Sequence, residues 1–135
     1  MKGFVQNIDH LTVENSDYRW VLYTGKNMQL VLMALKPGEE IGEEVHEDRD
    51  QFFRVEQGSG AIWIDGTKTT IETDFAMVVP AGARHNVKNT GRTALKLYTI
   101  YAPPEHAEGT VRASKSEADT REEHFDGRTT ERSSS

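Results

Sequence analysis

Short extended runs, cut at regular intervals by turn residues, constrain the fold of this chain more than any other feature of its sequence. They are WVLYT (20–24), MQLVLMAL (28–35), QFFRVEQ (51–57), AIWID (61–65), TTIET (69–73), AMVVP (76–80), HNVKN (85–89) and LKLYTIYA (95–102). Between them stand Gly25-Lys26-Asn27, Pro37-Gly38, Gly58-Ser59-Gly60, Asp65-Gly66, Ala81-Gly82 and Asn89-Thr90-Gly91. Strand-like runs about 8–12 residues apart, with Gly, Pro and Asn between them, predict an all-β sandwich or barrel. Asp65-Gly66, flanked by IWI and TKTTI, predicts a tight hairpin turn. No helical periodicity of useful length precedes residue 104.

The composition changes at Pro103-Pro104. Beyond it the apolar side chains thin out to Ala107, Val111, Ala113, Ala118 and Phe125 among charged and small polar residues. Such a segment buries too little surface to offset its ordering entropy. Residues 1–103 are therefore expected to form one β domain, and 104–135 a polar, largely disordered tail ending in the disordered stretch RTTERSSS. Ser114 and Glu117 have capping-box spacing and Gly127 is a stop signal, which predicts one short helix at about 115–126.

The net charge of −6 and the lack of any basic stripe argue against nucleic acid as a partner. The chain has no cysteine, which removes disulfides and thiolate chemistry. No apolar run approaches the roughly 18–20 residues needed to span a bilayer. The N-terminus MKGFVQNIDH lacks a signal-peptide core. A cytoplasmic location without a membrane partner is the expectation.

Polar residues of metal-ligating type cluster in GEEVHEDRDQFFRVEQGSG (42–60). Glu44 and His46 are two apart, so an extended strand points both to one face. Gln51, Phe53 and Val55 share a face of the following run. Further on, in PAGARHNVKN, a Pro–Gly turn leads to His85 at the start of another strand.

These two stretches resemble the two motifs of the cupins. The first motif's positions fall on Gly38, Glu44, His46, Gln51 and Gly58, and the second's on Asp74, Pro80, Gly82, His85 and Asn89, with every spacing kept. The likeness spans about residues 28–103, with the motifs at 38–58 and 74–89. It implies a cupin double-stranded β-helix, a jelly-roll barrel, in a small single-domain protein similar to those labelled mannose-6-phosphate isomerase-like. It also implies a divalent transition metal held by Glu44, His46, Gln51 and His85. Two positions depart from the family pattern. Glu44 replaces the first histidine, and Gln51 replaces the glutamate, so one carboxylate and three neutral donors remain. Gln51 either ligates through a weak amide oxygen or stands behind Glu44, His46 and His85, which then form a 2-His-1-carboxylate set. Such donors suit Fe, Mn, Zn, Ni or Cu(II) and do not choose among them. Asp74, in place of a motif glycine, is well tolerated in a turn.

The neighbouring acids Glu43, Glu47, Asp48 and Asp50 are expected in solvent, and Arg84 is expected to pair with this acidic loop. Met33, Phe53, Val55, Trp63, Val87 and Tyr98 are candidates to line the barrel interior, chiefly as packing, and only one of Tyr98 and Tyr101 is expected to point inward. His10, His106 and His124 match no motif and are expected at the surface. The likeness implies three functions: a metal-dependent isomerase acting on a small sugar-like molecule, a metal-dependent small-molecule dioxygenase, or a non-catalytic small-ligand-binding cupin. Small cupins pair as homodimers, which leads us to expect an interface involving residues 1–24.

Overall fold

A computed structural model of the chain describes residues 1–131; residues 132–135, the end of the stretch expected to be disordered, lie outside the described residues. The strands are β1 (Arg19–Thr24), β2 (Gln29–Leu35), β3 (Glu44–Val45), β4 (Asp50–Gln57), β5 (Ser59–Ile64), β6 (Thr67–Glu72), β7 (Ala76–Val79), β8 (Arg84–Lys88), β9 (Leu95–Ala102) and β10 (Val111–Arg112). Two helices accompany them, α1 (Ile8–Glu14) and α2 (Lys115–Thr120). One sheet has the order β10-β1-β2-β9-β4-β7 and the other β3-β8-β5-β6. Every pairing is antiparallel. This is a jelly-roll barrel, as the resemblance of the two motifs implies.

Alternation along the strands builds the core. On β4, Gln51, Phe53 and Val55 are buried, and on β9 Leu95, Leu97, Thr99 and Tyr101 are buried. The alternate residues face outward, so that Tyr98 packs against Phe52 with ring centroids 6.2 Å apart. Tyr101 is thus the tyrosine that points inward. Trp63 also departs from the expected lining: it pairs with Asn86 and lies half-buried on the outer face, over which Lys68 sits. Met33, Phe53, Val55 and Val87 belong to the core.

The turn residues act as their chemistry dictates. Asp65 and Gly66 join β5 to β6 and take φ of 46° and 85°, both left-handed, as a two-residue hairpin with this twist requires. Asp74 takes φ 74° at the position where the family pattern has glycine. Asn89 is fully buried and ties loop backbones together, donating to the carbonyls of Leu35 and Thr93 and accepting from the Gly91 amide.

Helix α1 was not expected from the sequence. At seven residues it is too short to show a periodic stripe. Asn7 caps it by accepting from the His10 amide, and it rests on β4 and β9 with Thr12 fully buried.

The polar residues 104–131 lie across the barrel and are held mainly by polar contacts. Strand β10 pairs with β1, and Ser114 caps α2, its hydroxyl accepting from the Glu117 amide. The fully buried Gln29 accepts from the amides of Glu105 and His106 and donates to the His106 carbonyl. Glu131 accepts from the amides of Lys2 and Gly3 and from the Tyr23 hydroxyl. Composition registers apolar burial and carries no sign of such long-range polar contacts.

Candidate metal centre

The two halves of the site meet in a two-residue ladder. β3 runs antiparallel to β8 with Glu44 opposite His85 and Val45 opposite Arg84. Directly opposed residues have adjacent side chains on one face, so the carboxylate and the imidazole are neighbours by register. His46 follows β3 and folds its ring over the same space. One ligand atom from each of Glu44, His46 and His85 lies within 4.8 Å of the other two. The centroids of the two imidazoles are 5.5 Å apart, and Tyr101 meets His46 edge-on at 5.8 Å.

Gln51 lies on β4, in the other sheet. It is 3% exposed, and its Nε2 donates to Thr99 Oγ1 at 3.0 Å. That hydroxyl in turn donates to the Phe52 carbonyl at 2.8 Å, so it must accept from Gln51, which fixes the orientation of the amide. Gln51 Oε1 is then buried with no hydrogen-bond partner. His85 repeats the pattern. Its Nδ1 faces the Ala83 carbonyl at 3.4 Å, while Nε2 is buried and unpartnered. An unmet buried polar atom costs about 1–3 kcal/mol. The orphaned His85 Nε2, clustered with the Glu44 carboxylate and the His46 imidazole, fits the requirements of a divalent cation, because it has a lone pair to offer and no proton donor to take it.

The electrostatics agree. Burial by itself would raise the Glu44 carboxyl, but the hydrogen bond from His46 Nε2 at 2.9 Å, with the charges of His46, His85 and Arg19, holds it below its ordinary value. The same hydrogen bond raises His46, against the opposing effect of its burial. Burial lowers His85 and favours its neutral form, the form that ligates.

The other acids sort as expected. Glu43 pairs with Arg84 at 2.9 Å, both well exposed, and Asp48 pairs with Arg49. Asp50 accepts from the Ala81 amide and helps hold the turn before β8. His10 and His124 are exposed. His106 is not: it is 7% exposed, with Nδ1 2.8 Å from Glu123 Oε1 and Nε2 3.4 Å from the Tyr101 hydroxyl. Burial is the main cause that lowers its pKa. Its partners are polar groups of β9 and of the C-terminal segment that match no motif, which is why spacing rules missed it.

A cavity of about 240 Å³ has Glu44 in its wall. The barrel contributes Tyr18, Arg19, Ile41 and Glu44, and the C-terminal segment contributes Glu105, His106, Asp119, Glu122 and Glu123 among others. Its one arginine, Arg19, lies 3.4 Å from Glu123. A larger cavity of about 390 Å³ is lined by Glu40, Glu43, Trp63, Arg84, His85 and Lys88 among others, so His85 borders it as well.

The fold and this site define a small β-barrel with a candidate His/Glu metal site. Residues 31–101 match the Cupin domain family, and the chain belongs to that family. It is 49% identical over 123 residues to protein YrkC of Bacillus subtilis (strain 168), covering 87% of this chain and 66% of that one. The chain thus spans about two thirds of that relative's length. The crystal structure of BH2720 from Bacillus halodurans superimposes with a TM-score of 0.87 at 42% identity, covering 89% of this chain and 96% of that one. A weaker likeness, 27% over 96 residues, covers 68% of this chain and 20% of a mannose-1-phosphate guanylyltransferase from Salmonella montevideo. Among the described residues no helix is long and apolar enough to cross a membrane.

Proposed function

We propose that the chain binds a divalent transition metal through Glu44, His46, His85 and Gln51 Oε1, and that it acts on a small, uncharged, hydroxylated molecule in a reaction of isomerase type. The observation that carries the metal reading is the pair of orphaned buried atoms, Gln51 Oε1 and His85 Nε2. A bound cation supplies Lewis acidity toward a carbonyl or hydroxyl oxygen. The chain's own part is to hold the donors, orient the ligand in the adjoining cavity and restrict water there. Five acids line that cavity, Glu44, Glu105, Asp119, Glu122 and Glu123, and its one arginine lies against Glu123. A phosphate would find no free cationic anchor, so the sugar-like ligand we favour carries none.

Elemental analysis of purified protein, before and after reconstitution with Fe, Mn, Zn, Ni and Cu(II), tests the metal reading. We expect one equivalent of one of these metals, abolished by His85→Ala. Metal well below one equivalent under all conditions rejects it.

The clustering of one carboxylate and two imidazoles favours a second reading, a small-molecule dioxygenase, because such a set leaves positions open for substrate and O₂. Oxygen uptake by Fe-loaded protein with an enediol or catechol distinguishes it. Stabilisation by a ligand without turnover, in a thermal-shift screen, instead marks a binding protein.

We also propose a homodimer joined through the N-terminal region. Val5 and Met28 are exposed there next to Phe4, Tyr23 and Leu30, an apolar surface suited to a second copy. Light scattering giving a stable monomer rejects it.

A further inference from the structure

We propose that Glu105, beyond the stretch that matches the family, is a positioning residue of the metal centre that holds the His46 imidazole by its Nδ1 edge. The inference rests on the metal reading above. Each ring nitrogen of His46 faces a different carboxylate. Nε2 is 2.9 Å from Glu44 Oε2, and Nδ1 is 3.5 Å from Glu105 Oε2. Nε2 lies among the ligand atoms, while Nδ1 points away toward residue 105. A carboxylate behind a ligating histidine fixes its ring orientation and tautomer and increases its basicity toward the metal.

Glu105 is itself fixed on two sides. Arg49 forms an ion pair with Glu105 Oε2 and donates to the Pro104 carbonyl at 2.9 Å. From beneath, Gln29 Oε1 accepts from the Glu105 amide at 3.2 Å and from the His106 amide at 2.9 Å. Gln29 Nε2 donates to the His106 carbonyl and to Thr24 Oγ1, which uses all of its capacity on this anchor. Both Glu105 and Arg49 have side chains only 18% exposed, so this pair is no ordinary surface contact. A buried glutamine on β2 thus presents a carboxylate from residue 105 to a histidine next to β3.

The test measures Co(II) affinity and the visible spectrum of the Co(II)-loaded full chain for wild type, Glu105→Ala, Glu105→Gln and Arg49→Met. The expected loss of affinity for Glu105→Ala is roughly 10–100-fold, with a shifted ligand-field band, because ligand orientation changes. Glu105→Gln, which keeps an acceptor of the same shape, should fall between it and wild type. Arg49→Met should weaken binding in the same direction but less. A purely structural role for Glu105 would lower the melting temperature while leaving the spectrum of the bound metal unchanged, and that result overturns the proposal. Wild type that binds Co(II), with Glu105→Gln and Arg49→Met both within roughly twofold of it, overturns it as well, even where Glu105→Ala does not fold. Wild type that binds none of the metals overturns the metal reading and this inference together.

Discussion

Gln51 is the residue at which stability and function separate most cleanly. Its amide is oriented by Thr99, and its Oε1 is unpaired. Replacing it with leucine removes an unmet acceptor, and Thr99 keeps its bond to the Phe52 carbonyl. Gln51→Leu should therefore leave the metal-free fold as stable as wild type or more so, by up to about 1–3 kcal/mol, while metal affinity falls. Chemical denaturation with and without metal reads both quantities. A loss of stability with unchanged affinity would mean that Gln51 is only structural.

The histidines give a signed pH dependence. His46 is raised above its usual value by Glu44, so its charged form stabilises the metal-free fold. That contribution is complete below the unfolded value of about 6.5 and is lost as pH rises through the higher folded value. Glu44 is lowered, so its contribution is present above the usual carboxylate range and is lost as pH falls through its folded value. His85 is lowered and stays neutral, so on its account stability falls as pH drops below about 6.5. A metal must displace the proton of His46. Metal affinity should accordingly rise with pH above about 6.5, as that proton is shed. Competitive titration across pH checks this, and a flat profile over that window would count against His46 as a ligand.

At the scale of elements, the glycines next to and within β5 and β6 differ in what they tolerate. Gly66 is left-handed with open space around it, so Gly66→Ala meets only backbone strain, about 1–2 kcal/mol. Gly60 has ordinary backbone angles, but an added Cβ would meet the Lys88 carbonyl oxygen on the paired strand β8. Gly58 combines both obstacles, with φ 93° and the Ala94 carbonyl oxygen 2.6 Å from the added atom. Thermal denaturation should therefore rank Gly66→Ala mildest, with Gly58→Ala and Gly60→Ala worse. The strands themselves were legible because alternation writes burial into sequence with period two. β3 was not: two residues cannot show a period, yet this short ladder unites Glu44 with His85.

At the scale of the whole molecule, the C-terminal segment is part of the barrel's polar architecture. Ending the chain after residue 103 would strip Gln29, at the start of β2, of its bonds to Glu105 and His106. Each polar group left unmet costs about 1–3 kcal/mol, so truncation should lower the melting temperature markedly. Gln29→Leu in the truncated chain should recover part of that loss, since it removes the orphaned groups. Recovery of nothing would show that the loss has another source.

Turn chemistry and alternation carried the strand pattern, because they are local properties of the chain. The resemblance to the cupin motifs implied that Glu44, His46 and His85 share one site, and the fold brings their ligand atoms together. Local sequence could not hold the fate of His106, expected at the surface but buried against Glu123 and Tyr101, or the approach of Glu105 to His46. Those contacts run through polar groups that give no hydrophobic periodicity, and the one between Glu105 and His46 joins residues far apart in the chain. Only the closing of the barrel decides which distant charge stands behind which histidine.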